Sequence, residues 1–501
     1  MLAPIRPANR PAPAGWVLAA LAWVVPAVSA EGGAVPVVPH ASAPLLNGQP
    51  PEAYKKRRRD LMERIKGADA ASATLRDAIR AAEGHGGAAP EPGPVVILLG
   101  RGVPPEDGKF AQEPNFAYLT GVAEEDAALI LRPDTGEEAL YLPPRNPAQE
   151  RWNGPRLAPG PEAQARTGFD RVESSALFLA DAFRAVADPR SGLHARAATV
   201  HLIEPEARPG STSVAARFAR FLREGAPHAR FVDVAPRLNE MRKAKSEPEI
   251  ALIRRAIAAT AVAQDEVARL LAPGVTENRL EGAILGAFLA GGGSRAAFPS
   301  IVGSGPNSTV LHYNRNDRTV GGGELVVVDI GAEVHGYAAD ITRTYPADGV
   351  FTPRQREVYQ LVLDAQSGAA AQFKPGETTI ATLSRWVKDF FRKSPLRARD
   401  ETGTEQTMDH FFTHGLGHHM GLEVHDVGDT SKPLAPGEVF TIEPGLYLPS
   451  EGFGVRIEDD YLVTKDGLEK LSGDIPSDPA EVERRISDRR SSSPPRAATA
   501  P

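Results

Sequence analysis

Two aspartates interrupt an apolar stretch of the chain, residues 324–345 (ELVVVDIGAEVHGYAADITRTY). Side chains alternate between the two faces of a strand, so Asp329 shares its face with apolar neighbours. Glycines between the aspartates mark a reversal, and a hairpin with Val334 and His335 as its loop would place Asp340 opposite Asp329, with Cβ atoms roughly 5 Å apart. Such carboxylates repel each other unless a positive charge lies between them. An exposed pair, or a pair sharing one proton as in aspartic peptidases, remains an alternative to a metal site at this stage.

A second segment is rich in both histidine and glycine. Five of the 12 histidines fall within residues 410–425 (HFFTHGLGHHMGLEVH), and the glycines interrupt any regular helix, which predicts a loop that approaches its neighbours closely. A single histidine is more often structural than a ligand, whereas His414, His418 and His425 together indicate a site. His410 and His419 are expected at the surface or behind that site.

Two glutamates occur near predicted strands further along the chain. Glu443 follows an apolar strand and precedes a Pro-Gly pair, and functional sites are often built at strand ends. Arg456 and Glu458 share one face of a predicted strand at 455–463. A buried ion pair between those two would explain Glu458 but not the aspartates.

Charge balance favours a pair of metal ions. Asp329, Asp340, Glu443 and Glu458 would bring four negative charges into a site of low dielectric, and two divalent cations would balance them. Such ions lower the pKa of a bound water, so that it can act as a nucleophile at neutral pH. With mostly carboxylate and one or two imidazole ligands, Mn²⁺ fits best, and Co²⁺, Zn²⁺ and Fe²⁺ are alternatives.

These residues lie in the second of two predicted domains, residues 245–475. Ser246 with Glu249 predicts a capping box, and Thr352 followed by Pro353 predicts a second helix start. The predicted helices are 250–271, 276–290, 354–373 and 379–393, and the predicted strands are 324–330, 338–345, 439–442 and 455–463. The order of helices, strands, helices and strands looks like a duplicated α+β half.

The first domain, residues 52–240, is predicted to have an α/β fold because strands and helices alternate along it. It begins with a predicted helix at 54–65, and strands are predicted at 94–100, 127–131 and 139–142. Residues 31–51 are predicted to be a linker. The Ser-, Pro- and Arg-rich residues 486–501 are predicted to be disordered.

Composition sets further limits. A length of 501 residues with 42% hydrophobic and 24% charged residues suggests two globular domains with tails. The net charge of −7 and the lack of a basic stripe argue against nucleic acid as a partner. The absence of cysteine excludes disulfides, thiolate zinc sites and a cysteine nucleophile.

The N-terminus has the layout of a secretory signal. Arg6 and Arg10 precede an apolar run at 16–28, and Ser29 and Ala30 complete a small-residue cleavage motif. Residues 1–30 are therefore predicted to direct export to the periplasm or the medium and to be removed. An uncleaved membrane anchor or a disordered tail is the alternative.

The motifs together resemble the peptidase family that contains Xaa-Pro aminopeptidase, prolidase and methionine aminopeptidase, which shares the pita-bread (creatinase/aminopeptidase-type) fold. The resemblance covers residues 245 to about 472 and rests on four separate motifs. It implies that Asp329 binds one metal ion, that Asp340 and Glu458 bridge both ions, and that His418 and Glu443 bind the other.

The resemblance also implies roles for residues that do not bind metal. His312, His414 and His425 match the family's catalytic histidines, with His312 and His425 touching substrate. Arg456 matches an arginine that supports the site, and Tyr447 matches a residue that contacts substrate. Glu443 would pass a proton from water to the leaving proline nitrogen.

The first domain is similar to the N-terminal domain of Xaa-Pro aminopeptidases and prolidases at residues 115–121 (NFAYLTG) and 150–156 (ERWNGPR). Methionine aminopeptidases usually lack this domain. One departure is Ala117, where relatives often carry an aromatic residue. The resemblance implies substrates with proline in second position. It leaves open whether the protein forms a homo-oligomer.

Two other functions remain alternatives. A prolidase, limited to dipeptides, has similar motifs, although the residues around His312, the stretch 443–450 and the export signal favour the aminopeptidase. A metal-free creatinase-like enzyme or a non-catalytic protein typically loses metal ligands, and none of the five is missing here.

Overall fold

The computed structural model describes residues 48–82, 93–102, 109–186, 199–203, 213–227 and 229–491. The predicted signal at 1–30 lies outside these residues, as does the predicted linker up to residue 47. No helix among the described residues has both the length and the apolar character to cross a bilayer.

A mixed six-stranded sheet lies at the centre of the first domain. Its strands are β1 (Val95–Leu99), β2 (Ala128–Arg132), β3 (Glu137–Leu142), β4 (Arg171–Ser174), β5 (Thr199–Leu202) and β6 (Arg230–Asp233), in the spatial order β4-β3-β2-β1-β5-β6. The helices are α1 (Pro51–Ala82), α2 (Pro114–Thr120), α3 (Pro147–Asn153), α4 (Pro161–Thr167), α5 (Ser175–Val186), α6 (Val214–Gly225) and α7 (Ala235–Lys243).

Separate hydrophobic clusters cover the two faces of this sheet, and β1 is therefore buried on both sides. Val96 and Leu98 pack with α1, α2 and α7, whereas Val95 and Ile97 pack with α5 and α6. Helices on both faces of a mixed sheet define an α/β layer structure, which confirms the predicted class.

The second domain is α+β. Its helices are α8 (Glu247–Leu270), α9 (Glu277–Ala290), α10 (Pro353–Ala371), α11 (Ile380–Lys393) and α12 (Pro479–Ser491). Its strands are β7 (Arg295–Ala296), β8 (Ile301–Ser304), β9 (Leu325–Ile330), β10 (Ala332–Val334), β11 (Tyr337–Ala338), β12 (Ile341–Pro346), β13 (Arg397–Arg399), β14 (Glu405–Thr407), β15 (Val439–Ile442), β16 (Gly445–Leu448), β17 (Phe453–Arg456), β18 (Asp459–Val463) and β19 (Leu468–Lys470).

Both predicted helix starts are present, the capping box predicted at Ser246 is confirmed, and Thr352 also forms a capping box. The Ser246 backbone N–H donates to Glu249 at the start of α8. The Thr352 side chain accepts from the Gln355 backbone at the start of α10, and Pro353 occupies the first turn. These caps fix where each long helix starts and therefore which of its side chains face the strands.

Three sequence-based boundaries need correction. The predicted strand 338–345 is broken at Ala339 and Asp340, and the predicted strand 455–463 is broken at Ile457 and Glu458. The prediction that residues 486–501 are disordered is wrong for 486–491, because these residues belong to α12 and Ile486 is completely buried. Residues 492–501 lie outside the described part of the chain.

Candidate functional site

The acidic hairpin has a different register from the predicted one. His335 (φ 50°) and Gly336 (φ 88°) form the two-residue loop, since β10 and β11 pair Val334 with Tyr337. Two successive positive φ angles are the mark of a type I′ turn, which glycine favours at its second position. Val334 therefore belongs to a strand and not to the loop.

This register changes the partner of Asp329. Asp329 pairs with Thr342, and Asp340 lies directly before the first residue of β12 and has no partner in this ladder. The predicted opposition of Asp329 and Asp340 is wrong by two residues. Because strand periodicity is also two, both carboxylates still reach the same cavity.

The histidine-rich segment lies directly against β15, the strand that ends before Glu443. The backbone N–H of Thr441 donates to the His418 carbonyl (2.9 Å), and that of Glu443 donates to the Leu416 carbonyl (2.8 Å). Gly417 permits this approach, because a Cβ there would overlap the Thr441 carbonyl oxygen. The loop therefore brings His418 beside Glu443.

Asp340, His418 and Glu458 converge as a potential metal-binding group. One ligand atom from each lies within 4.8 Å of the other two, and His418 Nε2 is 3.3 Å from Asp340 Oδ2. His418 Nδ1 is 3.1 Å from the His419 carbonyl oxygen, which can only accept, so Nδ1 carries the proton and Nε2 presents its lone pair. This is the tautomer that a metal ligand requires.

Unpartnered carboxylate oxygens also fit a cation. Oδ1 of Asp329 and Oδ1 of Asp340 are both buried without a hydrogen-bond partner among the described residues. Buried acceptors without partners are costly, and a divalent ion would satisfy both of them. The oxygen-rich donor set with one imidazole is therefore suited to a hard or borderline metal ion.

The pKa values of the site residues also favour a bound cation. Burial, followed by repulsion from neighbouring carboxylates, raises the pKa of Asp340 and of Glu458 well above their ordinary values. Burial raises the pKa of Glu443 to about 8, against the opposing effect of Arg456. Burial also lowers the pKa of His418 to about 4, which keeps it neutral and able to bind metal. The protein alone thus leaves the cluster short of positive charge.

A polar chain links His414 to Asp329. Arg456 donates to Asp329 Oδ2 (2.7 Å) and to the Tyr447 hydroxyl (2.8 Å), which lies 2.8 Å from His414 Nε2. Because His414 Nδ1 contacts the Gly415 carbonyl oxygen, Nε2 accepts the Tyr447 proton. Burial lowers the pKa of His414 to about 4, so the ring is neutral. Tyr447, predicted to contact substrate, lies behind His414 and Arg456 and does not line the cavity.

The cavity has a volume of about 550 Å³ and contains nearly every predicted site residue. Its polar lining consists of Asp329, Asp340, Glu443, Glu458, His312, His414, His418, His425, Arg456 and Asn314. The apolar lining includes Phe298, Pro299, Ile301, Leu311 and Val424. His312 and His425 have exposed side chains, and the His425 ring stacks on that of His418 with centroids 3.9 Å apart.

The remaining candidates lie elsewhere. His410 is exposed and His419 is buried. Neither of them lines the cavity. Ala117 is buried in α2 and is also not part of the cavity lining.

Two supporting residues were not identified from the sequence. Thr342 donates from its hydroxyl to Glu458 Oε2 (2.6 Å), and Asp460 Oδ2 accepts from the Asp340 backbone N–H (3.3 Å). Thr342 is two residues from Asp340, so alternation puts both on one face, but the contact of Thr342 with Glu458, 116 residues away, depends on tertiary packing. Asp460 carried no local signal of its own.

Comparison with known proteins is consistent with this site. Residues 251–465 match Metallopeptidase family M24, and residues 54–186 match the Aminopeptidase P, N-terminal domain family. The chain is 35% identical to Xaa-Pro aminopeptidase of Escherichia coli over 399 residues, which cover 75% of this chain and 88% of the relative.

Solved structures agree over most of the chain. Proline aminopeptidase P II from Yersinia pestis is 30% identical, with a TM-score of 0.73 and coverage of 88% of this chain and 100% of that one. Zn-substituted Escherichia coli aminopeptidase P in complex with product is 29% identical, with a TM-score of 0.72 and coverage of 88% and 99%.

Proposed function

This chain belongs to the Xaa-Pro aminopeptidases of metallopeptidase family M24, and from that membership we propose that it removes the N-terminal residue from peptides whose second residue is proline. It is a metallo-aminopeptidase in which a pita-bread catalytic domain follows an aminopeptidase P N-terminal domain. One arrangement supports this function most directly: the lone pair of His418 Nε2 meets the oxygens of Asp340 and Glu458 at the wall of a peptide-sized cavity.

Asp329, Asp340, His418, Glu443 and Glu458 would hold two divalent cations. When bound, these ions supply Lewis acidity toward the scissile carbonyl and lower the pKa of the attacking water. Manganese is the proposed metal because carboxylates outnumber imidazoles, and cobalt, zinc or iron would satisfy the same ligands. The named Escherichia coli relative accepts zinc in a solved structure, which supports a site tolerant of several metals.

The chain's own residues divide the remaining tasks. Glu443 lines the cavity 3.8 Å from His414 Nδ1 and 3.8 Å from His418 Nε2, where it can carry a proton from water to the leaving nitrogen. The proline nitrogen has no hydrogen before cleavage and must gain a proton to leave. His312 and His425 have exposed rings in the cavity and would hydrogen-bond the peptide.

A substrate comparison tests the proposal. Purified protein is stripped with a chelator, reloaded with Mn²⁺, and assayed on Gly-Pro and on a longer Xaa-Pro peptide. We expect release of the first residue from the longer peptide only after reloading. Cleavage of Gly-Pro alone would favour a prolidase. Failure to bind any divalent metal would favour a non-catalytic member of the fold.

Export and self-association are also proposed. Residues 1–30 have the charge and hydrophobicity pattern of a cleavable signal, so fractionation of a producing cell should give a mature chain that begins near residue 31. A homo-oligomer is proposed from the family resemblance, and sedimentation of the purified protein measures it.

A further inference from the structure

Two buried glutamines have equivalent surroundings in the two halves of the catalytic domain. The first half runs from α8 to β12 and the second from α10 to β19. Gln264 lies on α8 and Gln366 lies on α10, and each of these long helices begins with a capping box. Their exposed fractions are 2% and 1%. Both side chains donate to backbone carbonyls beside the carboxylates.

Gln264 connects the two aspartates of the first half. Its Nε2 donates to the carbonyl oxygen of Ile341 (3.1 Å) and more weakly to that of Val328 (3.4 Å). Val328 immediately precedes Asp329, and Ile341 immediately follows Asp340. The Tyr345 hydroxyl donates to Gln264 Oε1 (2.9 Å), which fixes the orientation of the amide group.

Gln366 makes the corresponding connection in the second half. Its Nε2 donates to the carbonyl oxygens of Ile442 (3.0 Å) and Ile457 (3.2 Å). Ile442 immediately precedes Glu443, and Ile457 immediately precedes Glu458. A further contact to Asp459 Oδ2 (3.0 Å) shares the same two hydrogens among three acceptors.

One acceptor of each glutamine lies at a break between strands, because Ile341 directly follows the β11–β12 break and Ile457 lies within the β17–β18 break. Asp340 lies between β11 and β12, and Glu458 lies between β17 and β18. A break in a ladder leaves backbone carbonyls without a strand partner, and buried carbonyls need a donor. A primary amide offers two donors from one atom, so a single glutamine can join two chain segments.

We propose that Gln264 and Gln366 are positioning residues that hold the four metal-binding carboxylates in place, Gln264 for Asp329 and Asp340, and Gln366 for Glu443 and Glu458. This inference rests on the proposed two-metal function. Neither glutamine touches the cavity. Each fixes the backbone next to two ligands, so its loss should change the affinity for metal and not the chemistry of the ligands themselves.

Substitution by methionine tests the proposal. Gln264→Met and Gln366→Met keep an unbranched side chain of similar size but remove the donors. Gln112→Met is the matched control, because Gln112 is also buried and its Nε2 also donates to two backbone carbonyls, those of Val122 (3.2 Å) and Glu124 (2.9 Å), in the first domain and away from the cavity. Mn²⁺ binding to the chelator-treated full chain is measured by titration calorimetry, and thermal unfolding and circular dichroism are recorded alongside.

We expect Gln264→Met and Gln366→Met to weaken Mn²⁺ binding by about 10- to 100-fold, whereas Gln112→Met stays within about 2-fold of wild type while losing similar thermal stability. Gln264→Asn and Gln366→Asn shorten the reach but keep the amide, so they serve as milder variants that should fold and show a smaller loss. Folded variants with wild-type affinity overturn the inference alone. A wild-type protein that binds no divalent metal overturns the proposed function with it.

Discussion

Asp329 is paired with Thr342 across the β9–β12 ladder, and the Thr342 hydroxyl donates to Glu458 Oε2 (2.6 Å). Thr342 Oγ1 also lies 3.3 Å from Arg456 Nε, so it can accept from the arginine that anchors Asp329. The hydroxyl of the completely buried Thr342 is thus linked directly to Glu458 and, through Arg456, to Asp329. Its donor and acceptor roles are both used, so a side chain without a hydroxyl cannot replace it.

Replacement of this hydroxyl should loosen the metal site. Thr342→Val keeps the shape but removes the donor to Glu458 and leaves Arg456 Nε without its acceptor. We expect Mn²⁺ affinity to fall by about 10- to 100-fold, as for other supporting residues of metal sites. Calorimetric titration measures this. Thr167→Val is the control, because Thr167 is equally buried but donates to the Ala163 carbonyl within α4 of the first domain. Equal affinities in the two variants would contradict a role for Thr342.

The cavity-lining ligands should be indispensable to turnover. We expect His418→Ala and Glu443→Ala to abolish hydrolysis of an Xaa-Pro peptide, because each removes a metal ligand and Glu443→Ala also removes the proton carrier. The fold should persist, since neither side chain belongs to a hydrophobic cluster. His410→Ala is the control from the same histidine-rich segment, with an exposed side chain. Activity close to wild type in either ligand variant would rule out the site.

Sequence reasoning selected the candidate ligands because their residue types stand out from their neighbours in the sequence. Asp329 and Asp340 stood out as charges within apolar strands, and the loop character of the histidine segment followed from its glycines. The register could not be obtained in this way. Val334-His335 and His335-Gly336 are both plausible two-residue loops, and the positive φ angles that select the second depend on the folded turn.

Contacts between distant segments were also beyond sequence reasoning. The strand breaks at Asp340 and Glu458 are compensated by Gln264 and Gln366, which lie far away in the chain. Nothing in the local pattern distinguishes Gln366 from the other two glutamines of α10, or marks Gln264, the one glutamine of α8, as a contact to the site. Ile486 was assigned to a disordered tail on composition, whereas it is completely buried in the structure.

Metal binding should release protons at neutral pH. Without metal, burial and carboxylate repulsion raise the pKa of Asp340 and Glu458 well above the ordinary range, and burial raises that of Glu443 to about 8. Carboxylates bind metal in their ionised form, so protons held at pH 7 must leave. Titration calorimetry at pH 7 in buffers of different ionisation enthalpy should show net release of at least about one proton per chain.

The release of protons on metal binding also determines how the affinity for Mn²⁺ depends on pH. Mn²⁺ should bind more tightly as pH rises from 6 to 8, by about tenfold per pH unit for each proton displaced. At pH 9, above the pKa of Glu443, that residue should release less. Affinity that stays constant between pH 6 and pH 8 would contradict the raised pKa values.

The buried ion pairs of Asp426, which follows His425 in the sequence, should make the stability of the protein depend on pH in the acid range. The Asp426 carboxylate is 3.1 Å from Lys245 Nζ and also pairs with Arg242, and both cationic side chains are at most 2% exposed. Burial tends to raise the pKa of Asp426, but Lys245 and Arg242 outweigh it and hold the pKa below 3.8. A depressed pKa stabilises the fold above the unfolded value, and this stability is lost as the pH falls through the folded value.

Asp426→Asn should therefore lower the free energy of unfolding by about 3–5 kcal/mol at pH 7, because it leaves the buried Lys245 without its anion and removes one of the two carboxylates that pair with Arg242. The difference from wild type should shrink at pH 3, because Asp426 of the wild-type protein then binds a proton more readily in the unfolded chain than in the folded one. Urea unfolding at both pH values measures this. Asp466→Asn, at an exposed position, is the control and should change stability little at either pH. A wild-type–variant difference that is equal at pH 7 and pH 3 would show that the ion pair contributes nothing to the acid sensitivity.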